Sequence, residues 1–285
     1  MGSLTVTCTH DPARFVERAG TLLLAHPVEH SVLLTRSAQA LEQTNSDAGP
    51  RRDVEPDLWL WVEDDQGQVV AAAMQTPPYP VALSLASPEA VVALAGEVRR
   101  RRPEVPGVGG LLPGPWRFAE RWAELGGGAA QVHTRLGLYA ADAVTAPTGV
   151  AGSHRLAQVD DAALLQSWAE AFEVETDATA SGTDHVSSRL AKGLLHVWQD
   201  GGRVVSMAAA TSAHGGVSRV QLVYTPPELR GHGFASACVA AVTARELAAG
   251  RSTMLNTDLA NPTSNAIYQR IGYRWVAEAV SLRLS

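Results

Sequence analysis

A glycine-rich turn, LRGHGFA at Leu229–Ala235, joins a strand-like apolar run to a long alanine-rich segment. The run before it reads VQLVYT, and the segment after it continues as a predicted helix to Ala249, where Gly250 ends it. A strand followed at once by a helix leaves bare N–H groups at the helix start, and their partial positive charge attracts phosphate. Gly231 and Gly233 lack a Cβ, so the backbone there could approach a diphosphate closely.

The turn alone does not identify a ligand. A tight strand-to-helix connection explains the same residues, and Arg230 could either contact an anion or lock the loop. Two common phosphate loops are excluded, because the chain has no GxxxxGK[ST] sequence and no early GxGxxG with an acidic residue about 20 positions further on.

Length and composition predict two domains. The chain has 285 residues, and a typical domain has about 150. The segment AVTAPTGVAG is small, nearly uncharged and contains Pro and Gly, as linkers do. We therefore predict a domain at residues 1–142, a linker at 143–152 and a second domain at 153–285. Both halves show one predicted order: a helical region, a hairpin, a strand, a helix, a strand, a helix and a final strand.

Hydrophobic periodicity and turn residues give the individual elements. In the second half the predicted strands are Leu194–Trp198, Val204–Ser212, Ser218–Thr225, Thr253–Thr257, Tyr273–Ala277 and Val280–Leu284. Asn261-Pro262 is typical of a helix start, with Asn as the N-cap and Pro at the first helical position. Gly272 closes that predicted helix.

The segment TDLANPTSNAIYQRIGYR, together with the glycine turn, carries a resemblance to a known family. The pattern R/Q-x-x-G-x-G/A matches Arg230–Ala235. The pattern N-x-x-[AS]-x-x-x-Y-x-x-x-G-[FY] matches Asn261, Ser264, Tyr268, Gly272 and Tyr273. In these two motifs the second half resembles the GCN5-related N-acetyltransferases (GNAT), whereas the first half resembles them only in the order of its elements.

The resemblance implies an α/β (α+β) fold of two tandem GNAT-like domains, each a mixed, mostly antiparallel sheet flanked by helices. It also implies acetyl-CoA as co-substrate. The pyrophosphate would rest on the backbone N–H groups of Arg230, Gly231, His232, Gly233, Phe234 and Ala235. The pantetheine arm would pair with the strand ending at Val223 and Tyr224, whose backbone is also the candidate donor to the developing oxyanion.

Three further residues have implied roles with open alternatives. Asn261 and Ser264 would contact the CoA arm, although helix capping explains Asn261 equally well. Tyr268 would protonate the leaving thiolate, and a plain core position is the alternative.

No general base can be read from the sequence. Gln221 stands on a predicted strand where some relatives carry an acid. Glu173, Glu175 and Asp177, in FEVETD, lie in the region that commonly borders the acceptor pocket of this family. They are candidates to bind a cationic amine or to act as base, and solvated loop carboxylates are the alternative. We expect Glu228 to brace the loop.

The first half has no glycine-rich turn that could bind a phosphate as Arg230–Ala235 could. Ser87-Pro88-Glu89 stands where the glycine turn should be, and Glu89 would repel a phosphate. We therefore expect one CoA site per chain. The tryptophans of this half are predicted core residues: Trp59, Trp61, Trp116 and Trp122.

The composition argues against several classes of binding partner and indicates a compartment. The net charge of −6 disfavours nucleic-acid binding. No apolar run is long enough for a membrane span, and the first residues do not read as a secretory signal. Two cysteines exclude a disulfide framework and fit a reducing compartment, so we expect a cytoplasmic protein. The nine histidines show no metal-binding spacing, so we predict no metal.

These features predict an acetyl-CoA-dependent N-acetyltransferase that transfers acetyl to a small-molecule amine by direct attack on the thioester. Two alternatives stay open: a non-catalytic acyl-CoA-binding regulatory module, and a protein-lysine acetyltransferase. The acceptor, the acyl-chain preference and the oligomeric state are not predicted.

Overall fold

The computed structural model describes residues 2–44, 55–176 and 185–285. The chain forms two compact units. The first comprises Met1–Leu138, Asp258–Ala260 and Ala277–Ser285, and the second comprises Tyr139–Thr257 and Asn261–Val276. Within the described ranges, no helix is both long and apolar enough to cross a bilayer.

Both halves run through the same order of elements, β-α-α-β-β-β-α-β-α-β. In the first half these are β1 (Thr5–Thr9), α1 (Pro12–Ala25), α2 (Ser31–Thr44), β2 (Leu58–Glu63), β3 (Val69–Gln75), β4 (Val81–Leu83), α3 (Pro88–Arg101), β5 (Gly107–Leu111), α4 (Gly114–Glu124) and β6 (Ala130–Ala141). In the second they are β7 (Ser153–Leu156), α5 (Ala162–Thr176), α6 (His185–Ala191), β8 (Leu195–Asp200), β9 (Arg203–Ala210), β10 (Val217–Tyr224), α7 (Phe234–Ala248), β11 (Ser252–Asp258), α8 (Pro262–Arg270) and β12 (Arg274–Leu284).

The sheet of each unit is mixed and mostly antiparallel. In the first unit the strand order is β1-β2-β3-β4-β5, followed by the later part of β12, and β4 with β5 is a parallel pair. In the second unit the order is β7-β8-β9-β10-β11, and β10 with β11 is a parallel pair. The end of β6 lies beside β11. The predicted fold class is therefore confirmed.

The observed units differ from the predicted boundaries. Residues 139–152 lie in the second unit, residues 258–260 belong to the first, and residues 277–285 also return to the first. There they pair with β5, from Ala279 opposite Leu111 to Arg283 opposite Gly107. The prediction of two short strands at Tyr273–Ala277 and Val280–Leu284 was wrong, because β12 is continuous from Arg274 to Leu284.

Helices cover both faces of the first unit's sheet. Trp59 and Trp61 of β2 face α1 and α2, whereas Leu58 and Leu60 face α3 and α4, as expected from the alternation along a strand. Trp59, Trp61 and Trp122 are buried, as predicted. Trp116 was wrongly predicted to be a core residue: it lies in the first turn of α4 and is 39% exposed.

The second unit also has a core on each face of its sheet. One core packs Cys238 and Val242 of α7 against strand residues that include Leu255, and the other packs Leu165 and Trp168 of α5 against the opposite face. The two faces are therefore covered by different helices, and the site described below lies on β10, a strand that contributes residues to both cores.

Two histidines of the second unit form a pair, of which His196 is buried and His154 half-buried. His154 Nε2 of β7 lies 3.0 Å from His196 Nδ1 of β8, and the rings stack with centroids 5.2 Å apart. His196 is 1% exposed. Burial, with the neighbouring His154 and Arg245, lowers the pKa of His196 from 6.5 to about 4. The pair is therefore neutral in the folded protein at pH 7.

We predict that this pair makes stability depend on pH. Because the folded pKa of His196 is depressed, its contribution is complete above pH 6.5 and is lost as the pH falls towards 4. At pH 5 the free energy of unfolding should be lower by about 2 kcal/mol. Urea denaturation between pH 7.5 and 4.5 would measure this. The slope should flatten in His196→Gln and persist in His232→Gln, whose imidazole is exposed; an unchanged slope in His196→Gln would contradict the prediction.

Candidate active site

The strand β10 contains a bulge near its end. Val220 and Gln221 pair with Ala210 and Ala209 of β9, but Tyr224 pairs with Met207, so β10 has one residue more than its partner there. The bulge is accommodated at Leu222, which has φ of +53°. This conformation is uncommon for residues other than glycine. As a result Leu222 packs against the core under α5 and α6, and Val223 packs against the core under α7.

Beyond the start of the bulged strand, β10 and β11 separate. Their parallel pairing joins residues 217–219 to 252–254, although β10 continues to Tyr224 and β11 to Asp258. In the part of the chain that the structure describes, the C-terminal halves of these two parallel strands are thus not hydrogen-bonded to each other as a ladder. A gap at the carboxyl ends of neighbouring parallel strands is a common place for a ligand.

The glycine turn follows directly and starts α7. Gly231 and Gly233 have φ of +83° and +80°, and Gly233 is the N-cap residue. No side chain of the described residues caps this helix end, and Ala237 N donates to Gly233 O at 3.0 Å as the first helical bond. The N–H groups of the first turn are therefore available to a ligand, with the positive end of the helix dipole behind them.

The two glycines leave different amounts of space. A Cβ built on Gly231 would meet no heavy atom within 4 Å, whereas a Cβ on Gly233 would lie 2.9 Å from Val150 Cγ2. Gly231 therefore keeps an open approach to the backbone, and Gly233 is required both by its positive φ and by its neighbour. Such a cradle fits a diphosphate group.

Arg230 is anchored at the entrance of the turn. Its Nε donates to Thr225 O at 2.9 Å, and its Nη2 donates to both carboxylate oxygens of Glu175, at 2.9 and 2.7 Å. His232 stacks on Phe234 with centroids 5.4 Å apart, and its Nδ1 lies 3.0 Å from Arg230 O. Phe234 is buried and Ala235 half-buried. Arg230 thus locks the loop, one of the two roles that the sequence left open for it.

The N-terminus of α8 is capped by Asn261. Its Oδ1 accepts a hydrogen bond from Ser264 N at 3.0 Å, and its carbonyl accepts one from Asn265 Nδ2 at 2.7 Å. Asn265 Oδ1 in turn accepts from Tyr139 Oη at 3.1 Å. Capping is therefore an observed role of Asn261, and contact of Asn261 or Ser264 with a ligand stays a prediction.

We predict that Asn261→Ala lowers the free energy of unfolding by about 1 kcal/mol, because the cap bond is lost. Asn261→Asp keeps a side-chain acceptor and should stay close to the wild type. Urea denaturation would measure both, and equal stability of the Ala variant would contradict the prediction. A loss of CoA affinity in the Asp variant would, separately, support a ligand contact.

Tyr268 lies on α8, half-buried, and packs against the core under α7. Its ring meets that of Tyr273 edge-on at 6.1 Å, and its hydroxyl makes no hydrogen bond with any residue that the structure describes. Burial, and to a lesser degree Tyr273, raises the pKa of Tyr268. The phenol is therefore protonated at neutral pH and has a proton to donate.

The acidic candidates separate into different environments. Glu173 is half-buried on α5 and interacts electrostatically with Arg189 of α6. Glu175, at the end of α5, is bound by Arg230 as described. Asp177 lies outside the described residues. Gln221 is half-buried immediately before the bulge. Glu228 is exposed, and its carboxylate makes no hydrogen bond or ion pair with any residue that the structure describes, so the expected bracing of the loop by Glu228 is not observed. No general base is identified by these positions.

In the first unit the corresponding helix, α3, has a side-chain cap at its start. The N-terminus of α3 is capped by Ser87, whose Oγ accepts from Ala90 N at 3.3 Å. Leu85 N, which follows β4, donates to the buried Nε2 of His30 at 3.0 Å. The N–H groups of Leu85 and Ala90 are thus hydrogen-bonded within the chain. Among the described residues, no cluster of three or more His, Cys, Asp or Glu could hold a metal ion.

Two features of this site were not foreseen from the sequence. The bulge had a signal, since the consecutive apolar residues Leu222, Val223 and Tyr224 break the alternation of a regular strand. The pairing of Glu175 with Arg230 had none, because the two residues are distant in sequence and both types are common on surfaces.

The repeated element order, the bulged strand that leaves its parallel neighbour and the glycine turn before α7 together define the GNAT class of fold. Comparisons with known proteins agree. Residues 199–282 match the family model of FR47-like proteins. No curated protein is similar to the chain in sequence.

Solved structures resemble the whole chain. A Drosophila protein superposes with a TM-score of 0.66 at 14% identity, covering 100% of this chain and 99% of its own. A GCN5-related N-acetyltransferase from Sphaerobacter thermophilus gives 0.61 at 16%, covering 98% and 95%. A tandem GNAT protein from the clavulanic acid biosynthesis pathway gives 0.52 at 15%, covering 99% and 98%. The chain thus has the tandem GNAT fold, and residues 199–282 form an FR47-like segment in its second half.

Proposed function

We propose that the chain is an acetyl-CoA-dependent N-acetyltransferase that acetylates the amine of a small molecule. The observation that carries this proposal is the open cradle at Gly231 and Gly233, placed next to the gap between β10 and β11. The cradle fits a diphosphate, and the free edge of β10 fits the amide-containing arm of coenzyme A, which would add to it like a short strand.

Acetyl-CoA supplies the thioester whose carbonyl carbon the amine attacks. The chain supplies binding and proton transfer around that carbon. The N–H groups from Arg230 to Ala235 hold the diphosphate, and the backbone of Val223 and Tyr224 orients the arm. One of the latter N–H groups would donate to the carbonyl oxygen as it gains negative charge.

The bulge at Leu222 gives this assignment a physical reason. It turns the backbone of Val223 and Tyr224 relative to the preceding strand, at the point where β11 no longer occupies the edge. Tyr268 donates its phenolic proton to the sulfur as the C–S bond breaks, so that the departing group leaves as a thiol. The attacking nitrogen loses one proton as the amide forms, and this proton returns through solvent to the Tyr268 phenolate.

Binding and turnover should be tested separately. Calorimetry with coenzyme A tests the cradle, and release of free thiol from acetyl-CoA across a panel of primary amines tests transfer. Uptake of CoA together with amine-dependent thiol release supports the proposal. Uptake without release for any amine would favour the non-catalytic binding module, release only with lysine-containing peptides the protein-lysine acetyltransferase, and absence of uptake would overturn the cradle.

A further inference from the structure

Glu175 joins the end of α5 to the loop before α7. Its Oε2 lies 2.7 Å from Arg230 Nη2, and its Oε1 accepts from the same nitrogen at 2.9 Å. Its Oε1 also accepts from Tyr224 Oη at 3.3 Å. The Arg230 guanidinium lies 5.8 Å from the centroid of the Tyr224 ring. Both carboxylate oxygens of Glu175 therefore contact residues beside the glycine turn. The sequence analysis had linked this residue to the acceptor pocket and had given it no role at the turn.

The donors of Arg230 are only partly used. A guanidinium has five N–H groups. Nε is bound to Thr225 O and Nη2 to Glu175, and Nη1 makes no hydrogen bond with any residue that the structure describes. The side chain is 49% exposed, so Nη1 can reach a ligand without breaking either anchor.

We propose that Glu175 is a positioning residue for the diphosphate, acting through Arg230, rather than an acceptor-binding residue or a base. This inference rests on the proposed function. Glu175 and Thr225 O fix the plane of the guanidinium, and Nη1 donates to a phosphate oxygen in the complex. An unanchored arginine would lose side-chain entropy on binding, and the anchors remove part of that loss beforehand.

The carboxylate of Glu175 has two opposite effects on diphosphate binding, and the proposal states which of them is larger. The negative charge of Glu175 repels a diphosphate, so neutralising it would tighten binding if charge alone mattered. Loss of the anchor leaves Arg230 mobile and weakens binding. Because the ion pair is about half exposed, its direct Coulomb energy is small, and ordering of Arg230 dominates.

The test is CoA affinity by calorimetry in Glu175→Gln, which keeps the shape and removes the charge. We expect Kd to rise about fivefold. The matched control is Glu228→Gln, which removes an exposed acid from the same loop and should leave Kd unchanged or slightly lower. In an Arg230→Gln background, Glu175→Gln should have no further effect.

Steady-state kinetics provide a readout that a purely structural role would not move. Glu175→Gln should raise KM for acetyl-CoA and leave KM for the amine, kcat and its pH profile unchanged. A raised amine KM, a shifted pH profile, tighter CoA binding, or equal effects of Glu175→Gln and Glu228→Gln would each overturn the proposal. If the wild-type chain takes up no CoA, the proposed function itself fails; if it does and Glu175→Gln binds equally well, only this inference fails.

Discussion

Gly233→Val is expected to weaken coenzyme A binding by about 100-fold or more, to the limit of calorimetric detection. Gly233 has φ of +80°, and a Cβ there would lie 2.9 Å from Val150 Cγ2. A β-branched residue in this conformation costs about 1–3 kcal/mol of strain, and relief of that strain would move the N–H groups that hold the diphosphate. Its added methyl groups would also reduce the room for a close approach to the backbone.

The matched control is Gly250→Val, at the other end of the same helix. Gly250 also has a positive φ, +73°, but a Cβ at this position would meet no heavy atom within 4 Å. This variant should lose stability and keep its CoA affinity. Circular dichroism would establish that both variants are folded at the assay temperature. A Gly233→Val protein that binds CoA within twofold of the wild type would contradict the cradle.

Tyr268→Phe is expected to lower kcat by about 100-fold or more, the usual size of a lost general acid, with CoA affinity within about twofold of the wild type. The phenol is protonated at neutral pH like any tyrosine, and burial raises its pKa further. Phenylalanine keeps the packing of the ring. Thiol release at saturating amine and acetyl-CoA measures the change.

Two controls separate proton donation from packing. Tyr273→Phe removes the hydroxyl that lies 2.8 Å from Thr243 Oγ1 in the buried core, so it should reduce stability and spare kcat. An acetyl thioester of a more acidic thiol needs less help from an acid, so the loss in Tyr268→Phe should shrink with that donor. Equal turnover of Tyr268→Phe and wild type would remove Tyr268 from the mechanism.

The elements that local chemistry determines could be predicted from the sequence. The predicted helix after the glycine turn begins at Phe234 and ends at Ala248, just before Gly250. The Asn261 cap forms as its sequence indicates, because Asn, Pro and the Ser264 backbone are neighbours along the chain. In each case the deciding contacts join residues that are close in sequence.

The parts that could not be predicted depend on contacts between distant residues. The edge strands β1 and β7 are short, and their pairing with β2 and β8 decides that they are strands. In the sequence His196 looks like any residue of an alternating strand. Its burial is explained only by its contact with His154, which is 42 residues away in sequence. Trp116 has the composition of a core residue, but its place in the first turn of α4 leaves it partly in solvent.

The return of residues 277–285 to the first unit has a consequence for how the molecule is made. Strand β5 cannot gain its antiparallel neighbour from Ala279 to Arg283 until the ribosome has translated nearly all of the second half. During synthesis the first half would therefore expose β5 as an unpaired edge strand. An unpaired edge strand promotes association with other chains. Cutting the gene between the halves should accordingly yield one fragment short of a strand instead of two self-sufficient proteins.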